Sequence, residues 1–441
     1  MMSIYSQPIK ASKMLRFVFP TVLMMVFVSM YTVVDGIVVA NCVGDTALSA
    51  INVVYPFTLI YMALSLMFST GSNAIIAKKM GEGKQKEANG LLSATVIVST
   101  VMSIVIAVVF TIFAEPLYMA FGSSENMLPY CIEYGNFMIP FGFVITWQLL
   151  NQSYLVTANK PYLMLVFTIL SGVTNIVLDI LFMGFLNTGI AGAGLATILG
   201  MAVGALPMVI FFNKKQALHF GKPVFNINDI LFSMANGSSE AISNLATAVT
   251  TALFNIQMLR FAGEKGVAAI SAVLYMHFIF TAIAIGFTVG ISPVISFHYG
   301  ADNKEKLKKL FRFCVTYVSI TSVVMLAVSE IFSSPMISVF SAGDEEFQSI
   351  ALDGFRLFAI NYLFCGMNIF ASGLFTALNN GKISAVISIN RTFIVECIAM
   401  LAMPIFIGVT GVWLALPVAE IVSLVLSIIL IAKNARRYSL I

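Results

Sequence analysis

Charge is scarce in this chain. Of 441 residues only 10% are Asp, Glu, Lys or Arg, while 59% are hydrophobic and the mean hydropathy is +0.96. Soluble domains carry about 25% charged and about 45–50% apolar residues. So few polar side chains do not cover a water-facing surface, which excludes an ordinary soluble fold. Histidine is also sparse, and His219, His277 and His298 stand at no metal-binding spacing. The five cysteines (Cys42, Cys131, Cys314, Cys365, Cys397) are odd in number and contain no C-x-x-C pair. Neither a disulfide framework nor a zinc site is indicated. Several lie in apolar runs, where cysteine acts as a small packing residue. No H-E-x-x-H, no G-x-S-x-G and no phosphate-binding loop occurs, so the chain is not expected to be an enzyme.

Polar and apolar residues do not alternate, which speaks against a membrane β-barrel. Long apolar runs are present instead, separated by charged or Gly/Pro-rich breaks. At roughly 20 residues per membrane-spanning helix, twelve spans are predicted: 14–41, 47–77, 88–113, 128–154, 162–183, 189–212, 231–261, 267–298, 308–332, 350–378, 384–408 and 411–433. The fold class is an all-α membrane protein. The first run follows Lys10, Lys13 and Arg16 and is too long for a signal-peptide core, so it reads as a retained helix.

Basic residues follow every even-numbered span. Lys78, Lys79, Lys84 and Lys86 follow span 2, Lys160 span 4, and Lys214, Lys215 and Lys222 span 6. Lys304, Lys306, Lys308, Lys309 and Arg312 follow span 8, Lys382 follows span 10, and Lys433, Arg436 and Arg437 span 12. The opposite loops carry Asp45, Glu115, Glu125, Glu264, Asp344, Glu345 and Glu346, with Lys265 nearly alone as a base. The positive side faces the cytoplasm. Both termini are therefore expected in the cytoplasm, and the chain in the cell membrane as a multi-pass protein.

The chain repeats itself at an offset of about 219 residues. Phe68–Asn89 lies over Phe287–Lys308, pairing Gly71 with Gly290 and Gly81 with Gly300. The same offset pairs Gly44-Asp45 with Gly263-Glu264, Ala50-Ile51 with Ala269-Ile270, and Gly192, Leu195 and Ala196 with Gly411, Leu414 and Ala415. Matched loop punctuation at one offset is not explained by shared apolar composition. The expected domains are a six-helix lobe with its cytoplasmic linker over 1–222 and a second six-helix lobe over 223–441. Six is even, so the two copies enter the membrane from the same side, as parallel repeats. Such lobes enclose a cleft near the midplane, and rocking alternates its access.

Asp35 sits in span 1, Asp179 in span 5, Glu240 in span 7, Glu396 in span 11 and Glu420 in span 12. A central Asp costs about 2.5–3.5 kcal/mol on insertion, while a Leu or Phe returns only about 0.3–0.6 kcal/mol. Acids at this cost normally face a bundle interior or a water-filled path. Ser171, Asn175 and Asp179 recur every four residues and share one face of span 5. Tyr31 precedes Asp35 by the same interval. A carboxylate beside an amide and hydroxyls suits proton exchange or Na⁺ held by hard oxygens. It also suits a polar network that only holds helices together, and for Glu396 and Glu420 the packing reading stands level with a functional one. Gly200-x-x-x-Gly204 and Gly286-x-x-x-Gly290 are close-packing patterns. His277 is the intramembrane histidine.

The run Thr32–Pro56, TVVDGIVVANCVGDTALSAINVVYP, the G-x₉-G element leading into each basic loop, and Asn175-x-x-x-Asp179 resemble the multidrug and toxic compound extrusion (MATE) transporters over nearly the whole chain. The resemblance implies two pseudo-symmetric six-helix lobes forming a V-shaped cleft. It implies H⁺- or Na⁺-coupled antiport of small organic, often cationic, compounds by alternating access, with no cofactor beyond the coupling ion. Asp35, Asn175 and Asp179 match the family's first-lobe polar cluster, with Tyr31, Tyr134 and Thr197 as companions. Glu240 matches an acid of the seventh helix that some members use for cation binding, here a substrate-binding candidate. Span 10 departs from those members, with no carboxylate around Cys365–Asn368. Expected partners are small organic cations and the lipid bilayer, with no nucleic acid, and the chain is expected to be monomeric. The alternative reading is a flippase for a lipid-linked saccharide. That activity calls for a basic cavity, whereas only Arg260, Arg356 and Arg391 approach the membrane interior against the five acids.

Overall fold

The computed structural model describes residues 4–213, 216–341 and 344–440, with the side chains of residues 33, 37, 40–48 and 341 outside the described set. Lys214 and Lys215 thus lie outside the described residues, as do the side chains of Cys42 and Asp45. Every regular element among the described residues is helical. Apolar side chains all round a segment favour this outcome, since only a helix satisfies its own backbone polar groups in lipid.

Twelve segments follow the chain. Ala11–Gly81 is continuous and contains two apolar stretches, α1 (Ala11–Gly36) and α2 (Ser49–Gly81). Next come α3 (Gln85–Ile112) and α4, which consists of Leu128–Met138 and Gly142–Thr157 parted beside Pro140. Helix α5 (Pro161–Phe185) ends in a π-helical turn over Ile180–Phe185, and α6 spans Gly189–Ile210. Ile227–Gly300 divides at Gly263 into α7 (227–262) and α8 (264–300). Gly263 has φ 64° and ψ −161°, a backbone state open to glycine and strained for other residues. Helix α9 spans Lys304–Ile331, and α10 joins Glu345–Ala359 to Tyr362–Ala377 across a 50° bend. Helix α11 (Gly381–Ile407) contains a second π-helical turn, Asn390–Val395, and α12 is Val409–Ala435. Among the described residues, nine helices are long and apolar enough to cross a membrane, or ten counting the bent α10. Dividing Ile227–Gly300 at its break and joining the halves of α4 gives the twelve.

The chain forms two compact units, Phe27–Ala241 and Met1–Val26 with Ile242–Ile441. In Phe27–Ala241 the core includes Phe57, Tyr61, Tyr118, Cys131 and Tyr134. Phe57 meets Phe110 edge-on at 4.9 Å between centroids, an arrangement favoured by the ring quadrupoles. A hydroxyl cluster ties three helices, Thr146 Oγ1 lying 3.0 Å from Ser65 Oγ and 2.9 Å from Ser103 Oγ. In the other unit Phe254, Phe280, Phe355, Phe358, Tyr362 and Trp413 form the core. On the acidic side of that unit, Lys265 Nζ lies 3.0 Å from Asp344 Oδ2 and 2.5 Å from Glu346 Oε2. Asp344 Oδ1 caps α10 by accepting from the Phe347 N–H at 3.0 Å, and this bond holds its carboxyl below the usual range.

Candidate functional site

The side chains that sequence spacing aligns on α5 meet α1. Asn175 and Asp179 are each 1% exposed. Tyr31 Oη donates to Asn175 Oδ1 at 2.5 Å, and Asn175 Nδ2 donates to Asp179 Oδ2 at 2.9 Å. This pattern fixes the orientation of the amide. The Asp35 side chain comes within hydrogen-bond reach of Asp179. Tyr134 lies beside Thr197, and its phenol is close enough to feel both carboxyls. All six candidates, Tyr31, Asp35, Tyr134, Asn175, Asp179 and Thr197, thus belong to one cluster within one unit.

Small residues make the approach possible. A Cβ at Gly172 would lie 2.9 Å from the Phe27 ring and 3.3 Å from that of Tyr31. A Cβ at Gly200 would lie 2.7 Å from the Cβ of Asn175. The Gly200-x-x-x-Gly204 pattern therefore does more than pack helices, because it seats a cluster residue. Gln148, which sequence reasoning passed over, donates from Nε2 to Ser171 Oγ at 3.1 Å.

Two atoms decide what this cluster can do. Asp35 Oδ1 and Asp179 Oδ1 are buried and accept from no donor among the described residues. Two carboxylates in contact cannot both stay charged without a proton or cation between them. Among the described residues no group of three or more His, Cys, Asp or Glu side chains is placed to hold a metal. Two neighbouring carboxyls, each with an unpaired buried oxygen, have the donor chemistry that sharing one small cation requires.

A second polar cluster lies in the unit that contains residues 242–441. Arg391 Nε donates to Glu420 Oε1 at 2.7 Å. Asn368 Nδ2 donates to Glu420 Oε2 at 2.6 Å and to the Glu420 carbonyl at 2.9 Å, and Ser427 Oγ donates to Asn368 Oδ1 at 2.8 Å. Sequence reasoning found no carboxylate around Cys365–Asn368 in span 10. The structure brings one to Asn368 from α12. Glu396 is 7% exposed and lies beside Thr250. The only signal in the sequence was three charged residues in two adjacent apolar spans.

Glu240 is half-buried on α7, three residues beyond Gly237. The His277 ring stacks on Tyr362 at 5.8 Å and meets Phe358 edge-on at 5.3 Å. Cys131, Cys314 and Cys365 are buried free thiols.

The profile of the MatE family matches residues 20–181 and 240–401, two matches 220 residues apart. The multidrug export protein MepA of Staphylococcus haemolyticus is 22% identical over 419 residues, covering 93% of this chain and 91% of that one. The probable multidrug resistance protein YoeA of Bacillus subtilis is 22% identical over 432 residues, covering 96% and 93%. A MATE crystal structure in complex with MaL6 superposes with a TM-score of 0.91 at 18% identity, covering 97% of both chains.

Proposed function

This chain belongs to the MatE family of multidrug export transporters, and on that premise we propose that it is a cation-coupled antiporter exporting small organic cations by alternating access. It is a multi-pass membrane protein and not an enzyme. The observation that carries the coupling reading is the Asp35–Asp179 contact, with one buried oxygen of each acid left without a donor. Antiport needs a group whose cation occupancy changes with the access state. A ligand shifts that equilibrium only through unequal affinity for the two states. The direct contact between carboxyls favours a proton over Na⁺, which would stand between the two oxygens as a third body. The saccharide-flippase alternative draws no support from the intramembrane charges, where Arg391 is already bonded to Glu420.

Expression in a host lacking its own drug pumps tests the export reading. The chain should raise resistance to ethidium and lower its accumulation, and an unchanged host would refute export. Glu240→Gln should weaken export of cationic dyes more than that of neutral compounds, because charge attraction strengthens in a low-dielectric site. Equal loss for both classes at unchanged expression would assign Glu240 to structure or coupling.

Membrane orientation has its own test. In a cysteine-free background, single cysteines at positions 84, 215 and 304 should react only with a reagent applied from the cytoplasm. Those at 125 and 345 should react only from outside. Labelling of 84 and 125 from the same side would overturn the assignment made from the basic loops.

A further inference from the structure

Glu420 is fully committed: one carboxylate oxygen accepts from Arg391 and the other from Asn368. Arg391 uses only Nε in this pair, and its two terminal nitrogens form no bond among the described residues. Glu396 lies in the same helix, and among the described residues its carboxyl has no Lys, Arg or His within ion-pair distance. This cluster therefore holds two carboxyls and one guanidinium. An ionised carboxylate left without a partner in such surroundings is strongly disfavoured.

The backbone explains why Arg391 and Glu396 belong together. Residues five apart on an α-helix point about 140° from one another. Here the intervening turn, Asn390–Val395, is π-helical. Its i→i+5 hydrogen bonds bring residues five apart nearly into line, and such turns recur at functional sites. Arg391 bonds Glu420 on α12, and Glu396 lies close enough to feel the charges of both. The remaining groups that face Glu396 are Thr250 from α7 and the neighbouring Cys397. His277 from α8 and Cys365 from α10 border Arg391.

We propose that Glu396 is a second proton-exchange site, separate from the Asp35–Asp179 pair, with Arg391 as its built-in replacement cation. With no cation bonded to it, the Glu396 carboxyl holds a proton in this arrangement. When that proton leaves, the O–H bond breaks, the electron pair stays on the carboxylate and the proton passes to water. The free terminal nitrogens of Arg391 then bond Glu396 while Nε keeps Glu420. A metal ion does not fit this role, since hard cations collect about six oxygen ligands and Glu396 has only Thr250 beside it. Exchange of this proton against substrate rests on the antiport reading. The protonated acid itself does not.

Infrared difference spectroscopy of the purified full chain across a pH titration reads the site directly. The wild type should show the carbonyl stretch of a protonated carboxylic acid, and Glu396→Gln should lose it. Glu396→Asp should keep it at a shifted frequency, which separates a lost proton from a damaged fold. In the Asp35→Asn/Asp179→Asn protein the Glu396 band should persist. Ethidium added to unbuffered protein should release about one proton fewer per chain from Glu396→Gln than from the wild type. A carboxylic-acid band unchanged by Glu396→Gln would overturn the proposal. An intact Glu396 band in a protein that moves no ethidium would uphold the site and reject antiport.

Discussion

Asp35→Asn and Asp179→Asn should each abolish gradient-driven export while leaving yield and membrane insertion unchanged. Asn is nearly isosteric with Asp and cheaper to place in lipid, so neither change disturbs packing. Asn175 can still bond the residue at 179 through the remaining carbonyl oxygen, which stands where Asp179 Oδ2 accepts at 2.9 Å. What each variant loses is one of the two carboxyls proposed above to hold a cation between them. The single acid left behind cannot share a proton with an amide in the same way, and the cluster no longer cycles between loaded and empty states. In proteoliposomes, ethidium movement under an imposed H⁺ or Na⁺ gradient should fall to the level of protein-free liposomes. The gradient that drives the wild type identifies the coupling ion. Wild-type transport by both Asn variants would make the pair a packing feature and place coupling elsewhere.

The site was legible in the sequence only as far as helix geometry reaches. Ser171, Asn175 and Asp179 announce a shared face because four-residue spacing is a property of one helix. Their contact with Asp35 and Tyr31 is a property of two helices more than a hundred residues apart in sequence, and spacing alone does not report it. The resemblance carried by Thr32–Pro56 supplied that link. The Arg391–Glu420–Asn368 cluster escaped for a different reason. It draws on α10, α11 and α12 and depends on a π-helical turn over Asn390–Val395, for which the sequence gives no signal. The fold was more legible, because lipid demands long apolar runs and the basic loops punctuate them. Departures came where the chain bends without changing composition. The 50° bend in α10 falls inside a run read as a single span, while the break between α7 and α8 reduces to Gly263.

Gly71→Ala and Gly237→Ala should each destabilise the protein by about 1–3 kcal/mol or more, the cost of overpacking a well-filled interior. Gly71 on α2 and Gly237 on α7 face one another within the same compact unit. A Cβ at Gly71 would overlap the Ser233 carbonyl oxygen, and one at Gly237 would overlap the Met67 carbonyl oxygen. Both obstacles are backbone, so no rotamer change relieves them and the helices must move apart. The repeat places a comparable crossing in the other unit. There a Cβ at Gly286 on α8 would lie 2.6 Å from the Cα of Val22 and 2.8 Å from the Thr21 carbonyl oxygen on α1. Gly286→Ala should therefore fail in the same way. Gly184 supplies the control, since nothing lies within 4 Å of its added Cβ. Thermal unfolding of purified protein should show lower midpoints for the three crossing variants, at roughly 2–4 °C per kcal/mol for units of this size. Gly184→Ala should match the wild type. Wild-type midpoints for Gly71→Ala and Gly237→Ala would mean that α2 and α7 do not approach this closely in the protein.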